Sequence, residues 1–257
     1  MVANYHTHTH RCHHATGTER EYIEKAIAEG LDTLGFSDHV PMPFADGHES
    51  SFRIFKKDLE DYIRTLQELR EEYRGKINIL IGFEAEYYPD VFDDMMKLIN
   101  QYDYDYLIMG QHFLGNEVGE RSSGTATEDE ERLKRYVDQV IEGISTGKYS
   151  YIAHPDIVGY TLDDEIYERH IRRLCEKCLE MDIPLEINLL GLRTHRAYPK
   201  DRFFRVAAKV GNSVVLGCDA HAAQDMAIPE NIAEGYEFAK RHGLRVLDRV
   251  ALRDPKK

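Results

Sequence analysis

The sequence predicts an α/β protein built on a parallel sheet that closes into a barrel. Two observations lead to this. Short apolar runs alternate with helix-periodic segments along the chain, and residues able to bind metal follow nearly every apolar run. Strand and helix alternating over seven or eight units is the pattern of a parallel sheet. An open doubly wound sheet gathers its functional groups at one switch point. Here they come from the ends of nearly all the strands, which favours a closed barrel whose C-terminal mouth collects every strand end.

The elements follow from periodicity and punctuation. Strand candidates lie near 2–8, 32–37, 77–84, 104–112, 150–154, 184–189 and 213–218, with a weaker one near 244–247. Residues 18–29 and 199–210 look helical and end at Gly30 and Gly211. Residues 56–74 put Leu59, Ile63, Leu66, Leu69 and Tyr73 on one face, with Gly75 as a stop. Residues 128–146 begin with Thr127 and Glu130 at capping-box spacing and run through Leu133, Val137, Val140, Ile141 and Ile144 to Gly147. Residues 163–182 place Ile166, His170, Leu174 and Cys178 on one face. No GxGxxG or Walker-type fingerprint follows the first strand, so a nucleotide cofactor has little support.

Composition narrows the class. The chain has 257 residues, 42% of them hydrophobic, and no linker or composition shift divides it, so residues 1–257 are read as a single domain. The balance of 33 basic against 46 acidic residues gives a formal net charge of -13. That field repels phosphate polymers and anionic lipid, which argues against nucleic acid or membrane as a standing partner. A local cationic site can still overcome it. The start, Met1-Val2-Ala3-Asn4-Tyr5-His6, lacks a charged n-region and an apolar h-region, so no signal peptide is expected. Four scattered cysteines do not make a disulfide framework. The C-x-x-C spacing of Cys175 and Cys178 lies mid-helix with no second pair, and reads as packing. The expectation is a cytoplasmic protein. Thirteen histidines are the one compositional surprise.

Nine metal-type side chains stand at strand ends: His6, His8, His14, His39, Glu84, His112, His154, Asp219 and His221. Residues i and i+2 of a strand point the same way, so His6 with His8, and Asp219 with His221, can each reach one ion. The same spacing relates Glu84 to Glu86, and a carboxylate can bridge two cations. One such residue alone would read as a histidine hydrogen-bonded in a loop. Six strand ends agreeing point to a multinuclear metal site, which usually means hydrolysis. A non-enzymatic metal-binding scaffold is the competing reading of the same residues.

At this point the chain resembles a known family. His6-Thr7-His8, Ser37-Asp38-His39, Gly82-Phe83-Glu84, Gln111-His112, Ala153-His154-Pro155 and Asp219-Ala220-His221 look like the ordered motifs of the PHP (polymerase and histidinol phosphatase) superfamily. Within it, Ser37-Asp38-His39-Val40-Pro41 and Glu186-Ile187-Asn188 followed by Gly191-Leu192-Arg193 look like the histidinol-phosphate phosphatase branch. One departure stands at Cys12-His13-His14-Ala15, where the family often shows Cys-Pro-His-Gly, and it leaves His13 and His14 competing for one ligand position.

The resemblance implies a distorted (β/α)7 TIM-like barrel holding two to three divalent ions, with zinc, manganese or iron all compatible. Carried over, His6, His8, Glu84 and Asp219 would hold the first ion. Glu84, His112 and His154 would hold the second, and His14, His39 and His221 the third. Such ions lower the pKa of bound water and neutralise charge on a phosphoryl group. The implied reaction is hydrolysis of a phosphate monoester, L-histidinol phosphate, with an acidic rim drawing its amine and imidazole. Glu84 and Asp219 would be the catalytic carboxylates. Arg193, just past the sixth strand, is the leading phosphate clamp, with Arg196 behind it and Arg53 as a lid residue. Alternatives within the resemblance are a nuclease or nucleotide phosphohydrolase and a protein-tyrosine phosphatase.

Overall fold

The computed structural model describes residues Met1–Lys257. Its frame is one sheet of eight parallel strands whose spatial order is their sequence order. They are β1 (Ala3–Asn4), β2 (Thr33–His39), β3 (Asn78–Ala85), β4 (Tyr106–Met109), β5 (Tyr149–Ile152), β6 (Leu185–Asn188), β7 (Ser213–Gly217) and β8 (Arg245–Val246). Past the ends of β1 and β7, Thr7 bridges Ala220 in parallel, and the His8 amide donates to the Ala220 carbonyl at 3.0 Å. This contact joins the first strand to the seventh and closes the ring at its C-terminal mouth. The architecture is a distorted TIM-like barrel.

The expected seven-stranded ring carries an eighth strand at its other end. β8 pairs only with the opening of β7, through Ser213↔Arg245 and Val214↔Val246. The chain beyond it crosses the floor, where the Val250 amide donates to the Tyr5 hydroxyl at 3.4 Å.

Eight helices accompany the strands: α1 (Glu19–Ala28), α2 (Leu59–Glu72), α3 (Phe92–Ile99), α4 (Glu130–Ser145), α5 (Asp164–Glu180), α6 (Leu189–Arg193), α7 (Asp201–Val210) and α8 (Pro229–His242). Of these, α3, α6 and α8 lie outside the expected set. In α3, Phe92, Met95, Met96, Leu98 and Ile99 are all buried. Asp93, Asp94 and Lys97 are exposed on the opposite face, so the helix is amphipathic, but its eight residues are too few for the periodic stripe to stand out. α8 opens on Pro229 and ends at Gly243 with φ 70°, the left-handed stop that glycine favours. The expected capping box at the start of α4 is displaced. Asp129 is the N-cap, accepting from the Glu131 amide, while Thr127 Oγ1 accepts from the Asp129 amide. The chain's capping box is instead Thr18 with Glu21, at the start of α1.

Strand residues alternate between two apolar layers, as the two-residue period requires. Leu107 and Met109 of β4 and Val214 and Leu216 of β7 face the helices, in the main core. Tyr106, Ile108 and Val215 point into the barrel and meet Tyr5, Tyr151 and Val250. Tyr106 spans the interior and donates from its hydroxyl to the Tyr5 carbonyl at 2.7 Å. It fits because Gly35 and Gly82 leave the space: a Cβ at Gly82 would stand 2.5 Å from its ring. The barrel floor is therefore packed solid, and only the mouth is open to chemistry.

Candidate metal centre

Six of the eight strands deliver ligand candidates to the mouth. His39 is the last residue of β2 and lies in register with Glu84 of β3. His6 and His8 flank the bridging Thr7, and Asp219 and His221 flank its partner Ala220. His112 and His154 follow β4 and β5 by a few residues. Asp219 and His154 hold positive φ values of 48° and 31°. Backbone of this kind is costly and concentrates at functional sites.

The nine side chains meet in a chain of overlapping groups. His8 Nε2 lies 3.2 Å from His6 Nε2, 3.2 Å from Asp219 Oδ1 and 3.5 Å from Glu84 Oε2. His6 Nε2 lies 3.5 Å from both Glu84 Oε2 and Asp219 Oδ1. Ligand bonds of about 2.0–2.1 Å in a tetrahedral shell give ligand-to-ligand edges of about 3.3–3.4 Å, so these spacings suit one ion. The other Glu84 oxygen, Oε1, is 2.9 Å from His154 Nε2 and 3.5 Å from His112 Nε2. His14 Nε2 is 2.9 Å from His221 Nε2, and both group with His39. His39 also sends Nδ1 to within 3.1 Å of Glu84 Oε2, so it stands between the outer group and the inner one. His13 is turned out at φ 66° and packs on Phe55, 4.1 Å between ring centres. The structure thus brings His14 to the cluster and leaves His13 outside it.

A second layer fixes which nitrogen faces inward. His6 Nδ1 contacts Glu186 Oε1 at 2.8 Å and His112 Nδ1 contacts Glu86 Oε1 at 2.8 Å. His8 Nδ1 contacts Asp38 Oδ1 at 3.4 Å. His14 and His221 turn Nδ1 to the carbonyls of Cys12 and Asp219, at 2.7 and 3.0 Å. With Nδ1 occupied by an acceptor, Nε2 is left with its lone pair aimed at the cluster, the arrangement typical of metal-binding histidines. Glu186 also accepts from the His154 amide and from Asn188 Nδ2, each at 2.9 Å, and Asn188 reaches Asp219 Oδ2 at 3.1 Å. Asp38, Glu186 and Asn188 lie inside the family-like motifs, but nothing local in the sequence marks them as supports of the ligands. The i, i+2 spacing with Glu84 suggests that Glu86 also faces the mouth, whereas Glu86 is buried behind His112.

The charge pattern fits cations. Both oxygens of Glu84 are buried and accept no hydrogen bond, an arrangement that is costly unless a cation compensates it. Burial opposes ionisation of Glu84, but His39, His112 and His6 outweigh it and hold its pKa well below the usual carboxylate range. Asp219 is likewise held well down against burial by His6, His8 and His221. Burial lowers His14, and lowers His221 to about 3, whereas neighbouring carboxylates outweigh burial and raise His6, His8 and His112, so the same anionic field that would hold metal ions holds protons on these three histidines in their absence. Gly110 and Gly217 make room for the buried carboxylates: a Cβ at either would fall 1.8 Å from Glu84 Oε1 or Glu186 Oε1, respectively.

Above the cluster lies a cleft of about 780 Å³. Its walls include Phe52, Phe113, Ser122, Thr125, Arg196 and Tyr198, and its only carboxylates are Glu84 and Asp219. The expected acidic rim is therefore not part of the lining, and aromatic rings stand in its place. Two of the expected arginines are also placed elsewhere. Arg193 ends the short helix α6 and pairs with Asp225 at 2.9 Å, outside the cleft lining. Arg53 is buried and held by Glu86 and Glu117, at 2.7 Å each, so it is no free lid residue. Arg196 alone of the three lines the cleft, with Nη1 2.9 Å from the Tyr198 hydroxyl.

Fold and cluster together define a metal-binding α/β barrel protein. The chain belongs to the PHP domain family, which it matches over residues 4–190. A protein of Deinococcus radiodurans named a probable histidinol-phosphatase is 33% identical over 230 residues, covering 86% of each chain. The histidinol-phosphatase of Bacillus subtilis is 29% identical over 255 residues, covering 86% of this chain and 94% of its own. The crystal structure of histidinol phosphate phosphatase from Lactococcus lactis, complexed with zinc, L-histidinol and phosphate, superposes with a TM-score of 0.74. It is 21% identical, with 98% of both chains covered.

Proposed function

We propose that this protein is a metal-dependent phosphomonoesterase that hydrolyses L-histidinol phosphate to L-histidinol and phosphate. The observation that carries the reading is the pairing of an electron-rich ligand cluster with a guanidinium that has no carboxylate partner, Arg196, over the same cleft. The substrate named for two similar relatives supplies the leaving group. Residues 1–257 act as one catalytic unit in this reading.

Two to three divalent ions, of zinc, manganese or iron, would be held by the nine residues in the three overlapping groups. Bound there, they supply an activated water and electrostatic stabilisation of the phosphoryl group. The chain's own residues do the rest. Glu84 and Asp219 are the only anionic ligands, so the loaded site stays cationic inside an acidic protein and draws a phosphate dianion. Arg196, which lines the cleft and contacts the Tyr198 hydroxyl, would take two phosphate oxygens in a forked contact. Glu186, Glu86 and Asp38 keep His6, His112 and His8 in the tautomer that presents Nε2. The Phe52 and Phe113 rings offer an imidazole a flat, water-poor wall.

The scale of the cleft and the overall negative charge favour a small monoester over nucleic acid, and leave no standing membrane partner. No helix is long and apolar enough to cross a membrane, which is compatible with a cytoplasmic biosynthetic enzyme. The experiment is a side-by-side phosphate-release assay on histidinol phosphate, a phosphotyrosine peptide and a nucleotide, with single-stranded DNA cleavage alongside, on protein of measured metal content. Histidinol phosphate should have the highest kcat/KM, with two to three equivalents of metal per chain. Preference for the peptide would assign the tyrosine-phosphatase alternative, and preference for nucleotide or DNA the nuclease one. Full activity with one equivalent or none would end the multinuclear reading.

A further inference from the structure

Arg53 is among the most buried large side chains of the molecule, yet it belongs to the loop between β2 and α2 and not to the barrel core. Its guanidinium has two carboxylate partners on two different segments. Nη1 meets Glu86 Oε2 at 2.7 Å, while Nε and Nη2 meet Glu117 Oε2 at 2.9 and 2.7 Å. Glu86 follows β3 and turns its other oxygen to His112 Nδ1 at 2.8 Å. Glu117 lies in the loop that follows His112 and Phe113. The Arg53 guanidinium carbon sits 4.6 Å from the centre of the Phe52 ring. Phe52 in turn stacks on Phe113, 6.0 Å between centres at 26°, and stands edge-on to His39 at 5.3 Å.

Of the adjacent pair Phe52-Arg53, Phe52 lines the cleft and Arg53 lies buried beneath it, whereas His112 and Phe113 both line the cleft. A planar guanidinium with several fixed donors can serve two carboxylates at once, which an ammonium on a flexible stem cannot do with the same geometry.

We propose that Arg53 is a positioning residue that sets His112 through Glu86 and the aromatic wall through Glu117, so that one buried cation aligns a metal ligand with the surface that receives the substrate's leaving group. The wall's role as a leaving-group surface rests on the phosphatase reading above, whereas the alignment of His112 does not. A wall and a ligand tied to the same group shift together, so substrate fit and metal retention become linked properties. The two arms are separable. Glu117 bears on the wall and Glu86 bears on His112.

The test uses the full-length, metal-loaded protein with Arg53→Lys, Glu86→Gln and Glu117→Gln. After dialysis against a weak chelator, Arg53→Lys and Glu86→Gln should each retain about one equivalent of metal less than wild type, in line with the roughly 10- to 100-fold affinity loss expected when the support of a ligand is weakened. Glu117→Gln should keep its metal. Its KM for histidinol phosphate should rise roughly 10-fold, the scale of a lost charge-assisted contact. The rise should be smaller for p-nitrophenyl phosphate, which carries no imidazole. Wild-type metal retention in a folded Arg53→Lys, or in Glu86→Gln should Arg53→Lys not fold, overturns the His112 arm. Equal KM changes for the two substrates in Glu117→Gln, or none, overturn the wall arm. If wild type fails to hydrolyse histidinol phosphate, the phosphatase assignment falls, and metal retention still decides the His112 arm.

Discussion

His6 Nδ1 and Glu186 Oε1 stand 2.8 Å apart, both fully buried, although one follows the first strand and the other lies in the sixth. The contact crosses the barrel interior and decides which nitrogen of His6 faces the ligand cluster. The second Glu186 oxygen accepts from the His154 amide and from Asn188, so one carboxylate braces ligands of both inner groups. Glu186→Gln should leave the barrel folded and weaken metal binding by roughly 10- to 100-fold. Chelator titration followed by elemental analysis measures this, and an unchanged metal affinity would remove Glu186 from the site.

Glu84 and Asp219 supply all the negative charge among the nine cluster residues. Glu84→Gln should lose the charge shared between two groups, and Asp219→Asn should loosen the first ion. A fall in phosphatase kcat of about 100-fold or more is expected in each, the scale of losing an electrostatic catalytic group. Circular dichroism should show a folded barrel, and near-normal turnover in either variant would mean that the metal site lies elsewhere.

Arg196 and Arg193 lie three residues apart in sequence, Arg193 at the end of α6 and Arg196 beyond it, and should behave differently. Arg196→Ala should lower kcat/KM by roughly 10- to 1000-fold with metal content unchanged, and Arg196→Lys should recover only part of the loss because it lacks the planar fork. Arg193→Ala breaks the contact with Asp225 and should change kcat/KM by only a few-fold, an order below the Arg196 effect. Steady-state kinetics on a common monoester settles the order, and a larger defect at Arg193 would reverse the assignment.

Gly110→Ala tests the space around Glu84. A methyl group there would need the position 1.8 Å from Glu84 Oε1, so either the carboxylate turns or the β4 end shifts. The expected result is loss of metal and activity together with a stability cost of about 1–3 kcal/mol, typical of overpacking. Thermal melts in chelator isolate the stability term, because the metal contribution is then absent from both proteins.

The strand ends were legible in the sequence because a ligand that follows an apolar run needs no long-range information to be placed. His6 with His8, and Asp219 with His221, declare a shared face by spacing alone. The arginines were not legible, for two different reasons. Arg193 is carried away by α6, a five-residue helix whose start at Leu189 depends on the Asn188 cap accepting from the Gly191 amide at 2.8 Å. Arg53 is buried by partners from distant segments, and no local pattern announces Glu117. The register at Cys12-His13-His14 turned on one left-handed residue, His13, which puts its own ring outside and the next one inside. Asp38, Glu86, Glu186 and Asn188 each sit one or two positions from a motif residue or within a motif. Their function shows only when the other strand is in place.

The Thr7–Ala220 bridge has a consequence for biosynthesis. A ribosome releases the His6-Thr7-His8 segment long before Asp219-Ala220-His221. A partial chain in between offers the early histidines, and once it is long enough Glu84, but not Asp219, and would hold ions only loosely. Tight loading must therefore wait until the last ring strand docks against the first. Metal uptake would then act as a quality check on a closed ring, and would leave nascent chains exposed to whichever ion the cell supplies in excess.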